Sequence, residues 1–411
     1  MADVPEPLAA SARVVVVGGG LAATALVGSL REGGFAGPVT VVEQGGPPHD
    51  RPPLTKSYLA GELAPEGLLL RPPQWWGEHD VDLRTASRVG TVARQPDGTF
   101  LVEVGADALT ADRVVLATGG EPLLPPVPGV EHALTLRDRA DADRLRDRLQ
   151  RDHRLVVVGA GLVGSEVAAT ATRLGCRVTV VDPVVPLVDV LGTELAVWLH
   201  LLHREHGVSL VAERAGLIEP GRVHVPGAVL EADTVLVATG MRPVLPVTAV
   251  ADAGAGSAAL ELGLDGTVTV DRYGRTSVPG LLAVGDCSSR GSGGRSAGHW
   301  ESARLDGESV AAGLLGRTPP ERGPSWFWTD RYGHHVEALG TLAAAEHVVT
   351  RGTLGQPPFS LFGLAGGTVV AAAGVDDPRA VKVARRLAVS GRPVAAEALA
   401  DPGQDLRRLL R

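Results

Sequence analysis

The apolar residues of this chain fall into short β-branched runs that stop at glycine, and two of those runs open the same pattern. Residues 13–30 read RVVVVGGGLAATALVGSL and lead to VTVVEQ at 39–44; residues 154–175 read RLVVVGAGLVGSEVAATATRLG and lead to VTVVDP at 178–183. A continuous apolar run bounded by glycine predicts a buried strand, and the Ala-rich stretch behind it is long enough for a helix. The second run in each set ends on an acid. Together these make a strand–helix–strand unit, present twice.

Between and after these units the period changes. Residues 83–105, LRTASRVGTVARQPDGTFLVEVG, alternate as hairpin strands around Asp97-Gly98, and residues 222–240, RVHVPGAVLEADTVLVATG, predict a second set. Both sets close on Ala-Thr-Gly, at 117–119 and 238–240. Beyond VTVDRYGRTSVPGLLAVGDC and a helical WESARLDGESVAAGLLG, the tail from Trp326 alternates strands with an amphipathic helix, DPRAVKVARRLAVSG. The predicted class is α/β: two Rossmann-like dinucleotide-binding domains and a small C-terminal α+β domain. The partition places one nucleotide domain in two pieces, 1–112 and 242–321, a second at 113–241, and the C-terminal domain at 322–411.

Composition narrows the function class. The 53 glycines have no three-residue period, which excludes a collagen-like chain and asks where tight turns are needed. A net charge of −8 gives no overall field for phosphates, so nucleic acid is not an expected partner. The uncharged run at 14–30 has three glycines near its centre and no basic segment before it, so it reads as strand, turn and helix, not as a membrane span or signal peptide. Two cysteines, Cys176 and Cys287, build neither a disulfide framework nor a metal cluster, and a cytoplasmic compartment is expected. No metal is expected: His203 with His206, and His334 with His335, lack a third ligand and read as surface histidines. Trp75-Trp76 reads as packing, Cys287 as a small buried apolar residue, and 136–154 as a solvated helix laced with ion pairs. Lysine survives only at Lys56 and Lys382 in a chain that otherwise uses arginine, which marks both.

The chemistry starts at the glycine turns. Gly18-x-Gly20-x-x-Ala23 follows a strand and opens a helix, with Glu43 at the end of the next strand. Such a turn brings a pyrophosphate against backbone N–H groups at a positive helix terminus, while the acid accepts from a ribose hydroxyl. Gly159-x-Gly161-x-x-Gly164 with Asp182 repeats the pattern, and Asp182 would repel a 2′-phosphate, which favours NADH over NADPH. Two dinucleotides point to a flavin and a nicotinamide with hydride passing between them. Disulfide reductases need a cysteine pair soon after the first unit; this chain has HDRPPLTKSYLAGE at 49–62, so electrons must leave the flavin without a thiol relay.

With GGGLAA, DRPPLTK, ATGGEPLLPPVPG, GAGLVGSEVAATATRLG, ATGMRP, AVGDC, HWESA and FWTD in this order, the whole chain resembles the FAD-dependent ferredoxin reductases that serve cytochromes P450 and aromatic-ring dioxygenases. The resemblance implies FAD contacts from Gly18, Gly20, Leu21, Ala22, Ala23 and Glu43, from Arg51 and Lys56, from Thr118, Gly119 and Arg137, and from backbone near Val89. It also implies Asp286 on the ribitol, with Ala303 and Trp328 bordering the isoalloxazine. For NAD it implies Gly159, Gly161, Val163, Gly164, Glu166, Asp182 and Gly240. Lys56, Glu166 and Trp328 become the catalytic candidates, with Lys56 near flavin N5 and Glu166 keeping its ammonium charged. Three positions depart from the family pattern: His49, Asp306 and Arg331. The implied activity takes hydride from NADH onto FAD and passes single electrons to a 2Fe–2S ferredoxin that feeds an oxygenase. A flavin that reduces oxygen or another small oxidant, and a slow NADH-sensing flavoprotein like apoptosis-inducing factor, remain as alternatives. Arg385-Arg386 and Arg407-Arg408 are candidates for docking an acidic ferredoxin, although solvated helix faces explain them as well.

Overall fold

The computed structural model describes residues 4–246, 260–290 and 298–411, and its chain divides into two compact units. The first comprises residues up to Asp50, Pro65–Glu121 and Met241–Glu321. Its five-stranded parallel sheet runs in the order Leu281–Ala283, Arg113–Leu116, Val14–Val17, Val39–Val42, Val81–Arg84. Val14–Val17 sits centrally because all four of its valines can be buried on both faces, as a parallel core strand requires. Helices Leu21–Glu32 and Trp300–Leu314 cover one face around Leu26, Leu30, Val310 and Trp76. The other face carries the antiparallel meander Val89–Arg94, Phe100–Val104, Asp107–Ala111, whose Val92, Phe100 and Val102 are fully buried. Its first turn is the predicted one: the Asp97 carboxylate accepts from Thr99 N–H at 3.0 Å and Gly98 has φ +86°.

The second unit comprises Arg51–Ala64, Pro122–Gly240 and Arg322–Arg411. Its parallel sheet runs Ser209–Val211, Arg177–Val181, Arg154–Val158, Thr234–Val237, with helix Leu162–Arg173 and a three-stranded meander from Leu217 to Glu231. The C-terminal segment adds a five-stranded antiparallel sheet in the order Trp326–Arg331, His334–Leu339, Thr368–Val375, Gln356–Ala365, His347–Thr353. The predicted amphipathic helix, Pro378–Ser390, covers one face with Val381, Ala384 and Leu387. Leu195, Leu199 and Leu202 of helix Thr193–Glu205 pack with Phe327, Val336 and Phe359 in a separate cluster.

Three local readings change. The charged stretch at 136–154 has the expected ion pairs, Arg144 with Asp141 and Arg146 with Asp143, but it is helical only over Arg139–Arg146, where Asp138 and Asp141 form a capping box and Asp141, Ala142 and Leu145 are buried. His203 is fully buried and shares a 2.6 Å hydrogen bond between Nδ1 and the Tyr332 hydroxyl, so it is a core group; His206 is exposed and stacks on Tyr332 at 3.9 Å. His334 and His335 are half-buried and share hydrogen bonds through Nδ1 with Asp376 and Asp330 at 2.7 and 2.6 Å. Cys287 is fully buried, and burial raises its thiol pKa, as a packing role requires. Trp76 enters the core while Trp75 stacks on His79. Among the described residues no helix is long and apolar enough to cross a membrane, and no cluster of side chains has metal-ligand character.

Candidate functional site

In each unit the central strand ends at a glycine turn where the sheet order reverses, the position at which open parallel sheets bind ligands. Gly18 has φ +101° and Gly159 φ +105°. A Cβ at either would meet the carbonyl oxygen of Ala117 or Ala238 at 2.4 Å, so only glycine closes the turn against the neighbouring Ala-Thr-Gly strand end. Gly20 and Gly161 stand at the N-termini of Leu21–Glu32 and Leu162–Arg173, neither with a side-chain cap. An added Cβ at Gly20 or Gly161 meets nothing within 4 Å, so open space lies before two helix termini whose first N–H groups have no side-chain acceptor. Leu21, Ala22 and Ala23 form the first of these turns; Leu162, Val163 and Gly164 form the second, with Val163 partly exposed.

The acids are tied to the same turns. Glu43 accepts from Gly19 N–H at 2.6 Å and Gly45 N–H at 2.8 Å; Asp182 accepts from Ala160 N–H at 2.8 Å and Val184 N–H at 3.0 Å. Each carboxylate is thereby held beside its helix terminus with lone pairs left for a ribose hydroxyl. The glycine cradle, the uncapped terminus and the tethered acid fit a dinucleotide in both units.

Around the first turn, Gly285 brings the Asp286 loop close to Ala22 and Ala303: a Cβ at Gly285 would lie 3.1 Å and 3.8 Å from theirs. Asp306 anchors this loop by accepting from Gly285 N–H at 3.2 Å, and Trp300 Nε1 donates to Asp50 at 2.8 Å. Thr118 donates to the Val244 carbonyl, and Gly119 follows it at the strand end. Val89 pairs with Val104 and turns its side chain into the core. His49 Nδ1 shares a 3.2 Å contact with the Pro47 carbonyl.

The second unit holds the three catalytic candidates together. Lys56 Nζ lies 3.1 Å from Glu166 Oε1, 3.5 Å from Asp330 Oδ2 and 5.5 Å from the centre of the Trp328 ring. Glu166, whose side chain is 7% exposed, sits in the helix that begins at Gly161. Two hydroxyls donate to its carboxylate, Thr55 to Oε2 at 2.5 Å and Thr329 to Oε1 at 2.7 Å. Thr170 of the same helix donates to the Thr55 carbonyl at 2.7 Å, fastening the Lys56 segment to it. Trp328 stacks on Trp326 at 5.2 Å, a flat wall beside the ammonium. Arg51 stands at the N-cap position of the short turn Pro52–Thr55, Arg137 N–H donates to Asp141 at 2.8 Å, and Gly240 follows Thr239, whose hydroxyl donates to the Leu123 carbonyl at 2.7 Å.

Sequence reasoning missed Thr55 and Thr329 as the groups that fix Glu166, although both lie inside quoted motifs. It marked Arg331 only as a departure from the family pattern. Arg331 is 2% exposed, with Nε 3.3 Å from Thr329 Oγ1, and burial lowers its pKa to about 10 against the pull of Glu166, so it stays charged at neutral pH.

The profile of the pyridine nucleotide-disulphide oxidoreductase family matches residues 12–307, and that of the reductase C-terminal family matches 326–410. The chain belongs to the pyridine nucleotide-disulphide oxidoreductase family. FAD and NADH are the cofactors that go with this membership and fit the two turns. This oxidoreductase is 32% identical to putidaredoxin reductase of Pseudomonas putida over 98% of its own length and 97% of that protein's, and 31% identical to rhodocoxin reductase of Rhodococcus erythropolis over 96% and 93%. It is 32% identical to the ferredoxin–NAD(+) reductase subunit of a P. putida benzene 1,2-dioxygenase system over 97% of each. The solved covalent complex of putidaredoxin reductase with putidaredoxin superposes with a TM-score of 0.88 at 31% identity, covering 97% of this chain and 98% of that one.

Proposed function

We propose that this oxidoreductase is an NADH-dependent FAD ferredoxin reductase that supplies single electrons to a 2Fe–2S ferredoxin and, through it, to a P450 or Rieske oxygenase. The observation that carries this reading is the hydroxyl-braced Lys56–Glu166 pair on the helix of the second nucleotide turn, in a chain whose two cysteines are buried and 111 positions apart, from 176 to 287. When bound, FAD accepts an electron pair from NADH and releases electrons singly, as an iron–sulfur acceptor requires.

The chain's residues bind, orient and exclude. N–H groups of Leu21, Ala22 and Ala23 hold the FAD pyrophosphate, Glu43 accepts from its ribose, and Asp286 from its ribitol. Arg51 and Arg137 offset phosphate charge; Thr118, Gly119, Ala303 and backbone near Val89 close the binding surface. Gly159, Gly161, Val163, Gly164 and Gly240 seat NADH, and the Asp182 carboxylate accepts from its ribose while repelling a 2′-phosphate. Lys56 presents its positive charge to the face where negative charge accumulates on reduction, and Glu166, 3.1 Å away, holds that side chain in place. Trp328 shields the ammonium from solvent, so its field is weakly screened. The cytoplasm is the compartment proposed for this activity.

Anaerobic titration with NADH should bleach the yellow protein stoichiometrically, and a 2Fe–2S ferredoxin added next should restore the colour. NADH consumption with ferredoxin plus cytochrome c should far exceed that with oxygen alone. Equal rates would assign the protein to the small-oxidant reductases, and slow rates with both would leave the NADH-sensing reading.

A further inference from the structure

Asp330 is shared unequally between two cations. Its Oδ1 is 2.6 Å from His335 Nδ1, whereas its Oδ2 is 3.5 Å from Lys56 Nζ, and the lysine lies closer to Glu166, at 3.1 Å. The hairpin register dictates the arrangement: Asp330 pairs directly with His335 and Trp328 with Glu337, so all four side chains project from one face. His335 Nε2 is 3.1 Å from Glu337 Oε1, and Glu337 Oε2 accepts from Trp326 Nε1 at 3.0 Å, beneath the tryptophan wall that flanks Lys56. An imidazole gripped at both nitrogens by carboxylates is built to hold a proton.

We propose that His335 is a positioning residue for Lys56 that acts through Asp330. Charged His335 draws the Asp330 carboxylate to itself and leaves the ammonium to Glu166, aimed toward its redox partner. Neutral His335 releases Asp330 to Lys56, which then lies between two carboxylates and presents less positive field. This rests on the reading of Lys56 as the cation facing FAD.

The direction of the titration agrees with the geometry. Burial opposes protonation of His335, but hydrogen bonding and charge from Asp330 and Glu337 outweigh it and hold the imidazole above its ordinary pKa. The other charged groups around it are Asp376, which accepts from His335 N–H at 2.8 Å and pairs with His334 Nδ1 at 2.7 Å, and, beyond Asp330, Lys56 and Glu166. Buried Arg331 projects from the opposite face of the hairpin and keeps its charge throughout this range.

The test compares wild-type, His335→Gln and Asp330→Asn holoenzymes. In the wild type the single-turnover rate of flavin reduction by NADH is expected to fall about fivefold as pH rises through the His335 transition, a size typical of one partly exposed charge pair. His335→Gln should be flat at the high-pH level, and Asp330→Asn flat at the low-pH level, with the double variant matching Asp330→Asn. A wild-type limb that persists in His335→Gln, or both single variants shifting the rate the same way, would overturn the proposal. Histidine-resolved NMR of the oxidised holoenzyme gives a reading without turnover: the His335 transition should move to lower pH in Asp330→Asn, and an unmoved transition rejects the coupling. Failure of NADH to bleach wild-type protein would instead reject the reductase reading. FAD content and thermal midpoint of both variants serve as folding controls.

Discussion

The two glycine turns are near copies, and the difference that gathers other side chains falls at one position. Each closes with a glycine whose Cβ would strike a carbonyl at 2.4 Å, and each ties an acid to the residue between its glycines. Even the next hydroxyls correspond, Thr24 donating to the Gly19 carbonyl at 3.3 Å and Ser165 to the Ala160 carbonyl at 2.7 Å. One residue further on, the first helix has Ala25 and the second has Glu166. A duplicated turn therefore suits the two proposed nucleotide sites, while a single carboxylate on one copy gathers the lysine, two threonines and the tryptophan wall. Binding is repeated in this chain; the proposed chemistry resides in the exception.

The largest expected effect comes from filling a turn. Gly18→Val should yield colourless protein lacking FAD, whereas Gly164→Val, whose Cβ would stand 1.9 Å from the Gly159 carbonyl oxygen, should remain yellow and lose saturable NADH binding by calorimetry. If either substitution abolished both activities, the two turns would not be independent. Next, Lys56→Met should slow flavin reduction by about 100-fold with FAD retained, the scale of losing one preorganised electrostatic contact. An unchanged stopped-flow rate would remove Lys56 from the chemistry. Glu166→Gln, which keeps the shape and removes the charge, should cost less.

Asp182→Ala probes the acids. The ratio of kcat/KM for NADH over NADPH should shrink about tenfold, and comparable values for the two in the wild type would refute the role of Asp182 outright. The smallest effect concerns the polar burial of the second unit. His203 is pushed down to about 3, first by burial and then by Arg331, His200 and His206. A neutral buried histidine with a depressed pKa leaves the unfolded chain as the better proton acceptor between about pH 6.5 and 3, so stability falls as pH drops through that window, by at most about 1.4 kcal/mol per unit. His203→Gln should flatten the urea midpoint against pH between 6 and 4.

Much of this was legible in the sequence, for a physical reason. Strand, glycine and helix are local signals, so the βαβ pairs and the Asp97-Gly98 hairpin follow from neighbouring residues alone. Thr55 and Thr329 were not legible. A threonine in FWTD reads as a strand former, and only the tertiary fold decides that its hydroxyl meets Glu166. Arg331 and His203 resisted for the opposite reason: charge and polarity predict exposure, and the packing of helix Thr193–Glu205, which carries His203, on the C-terminal sheet, which carries Arg331, buries both. Residues 51–64, which the partition takes with 1–112, group by contact with 122–240 and 322–411, tied by Thr55 and Lys56 to Glu166.

The helix Leu162–Arg173 acts as a ruler. It begins at the uncapped terminus of Gly161 and carries Glu166 five residues on, a separation of about 7.5 Å along the axis. Because an α-helix has no joint over that span, the proposed dinucleotide site and the carboxylate paired with Lys56 share one rigid body. Engineering that re-seats the cofactor by shifting or tilting this helix will move the electrostatic machinery in lockstep, so changes of cofactor preference belong at Asp182 and its loop, off the ruler.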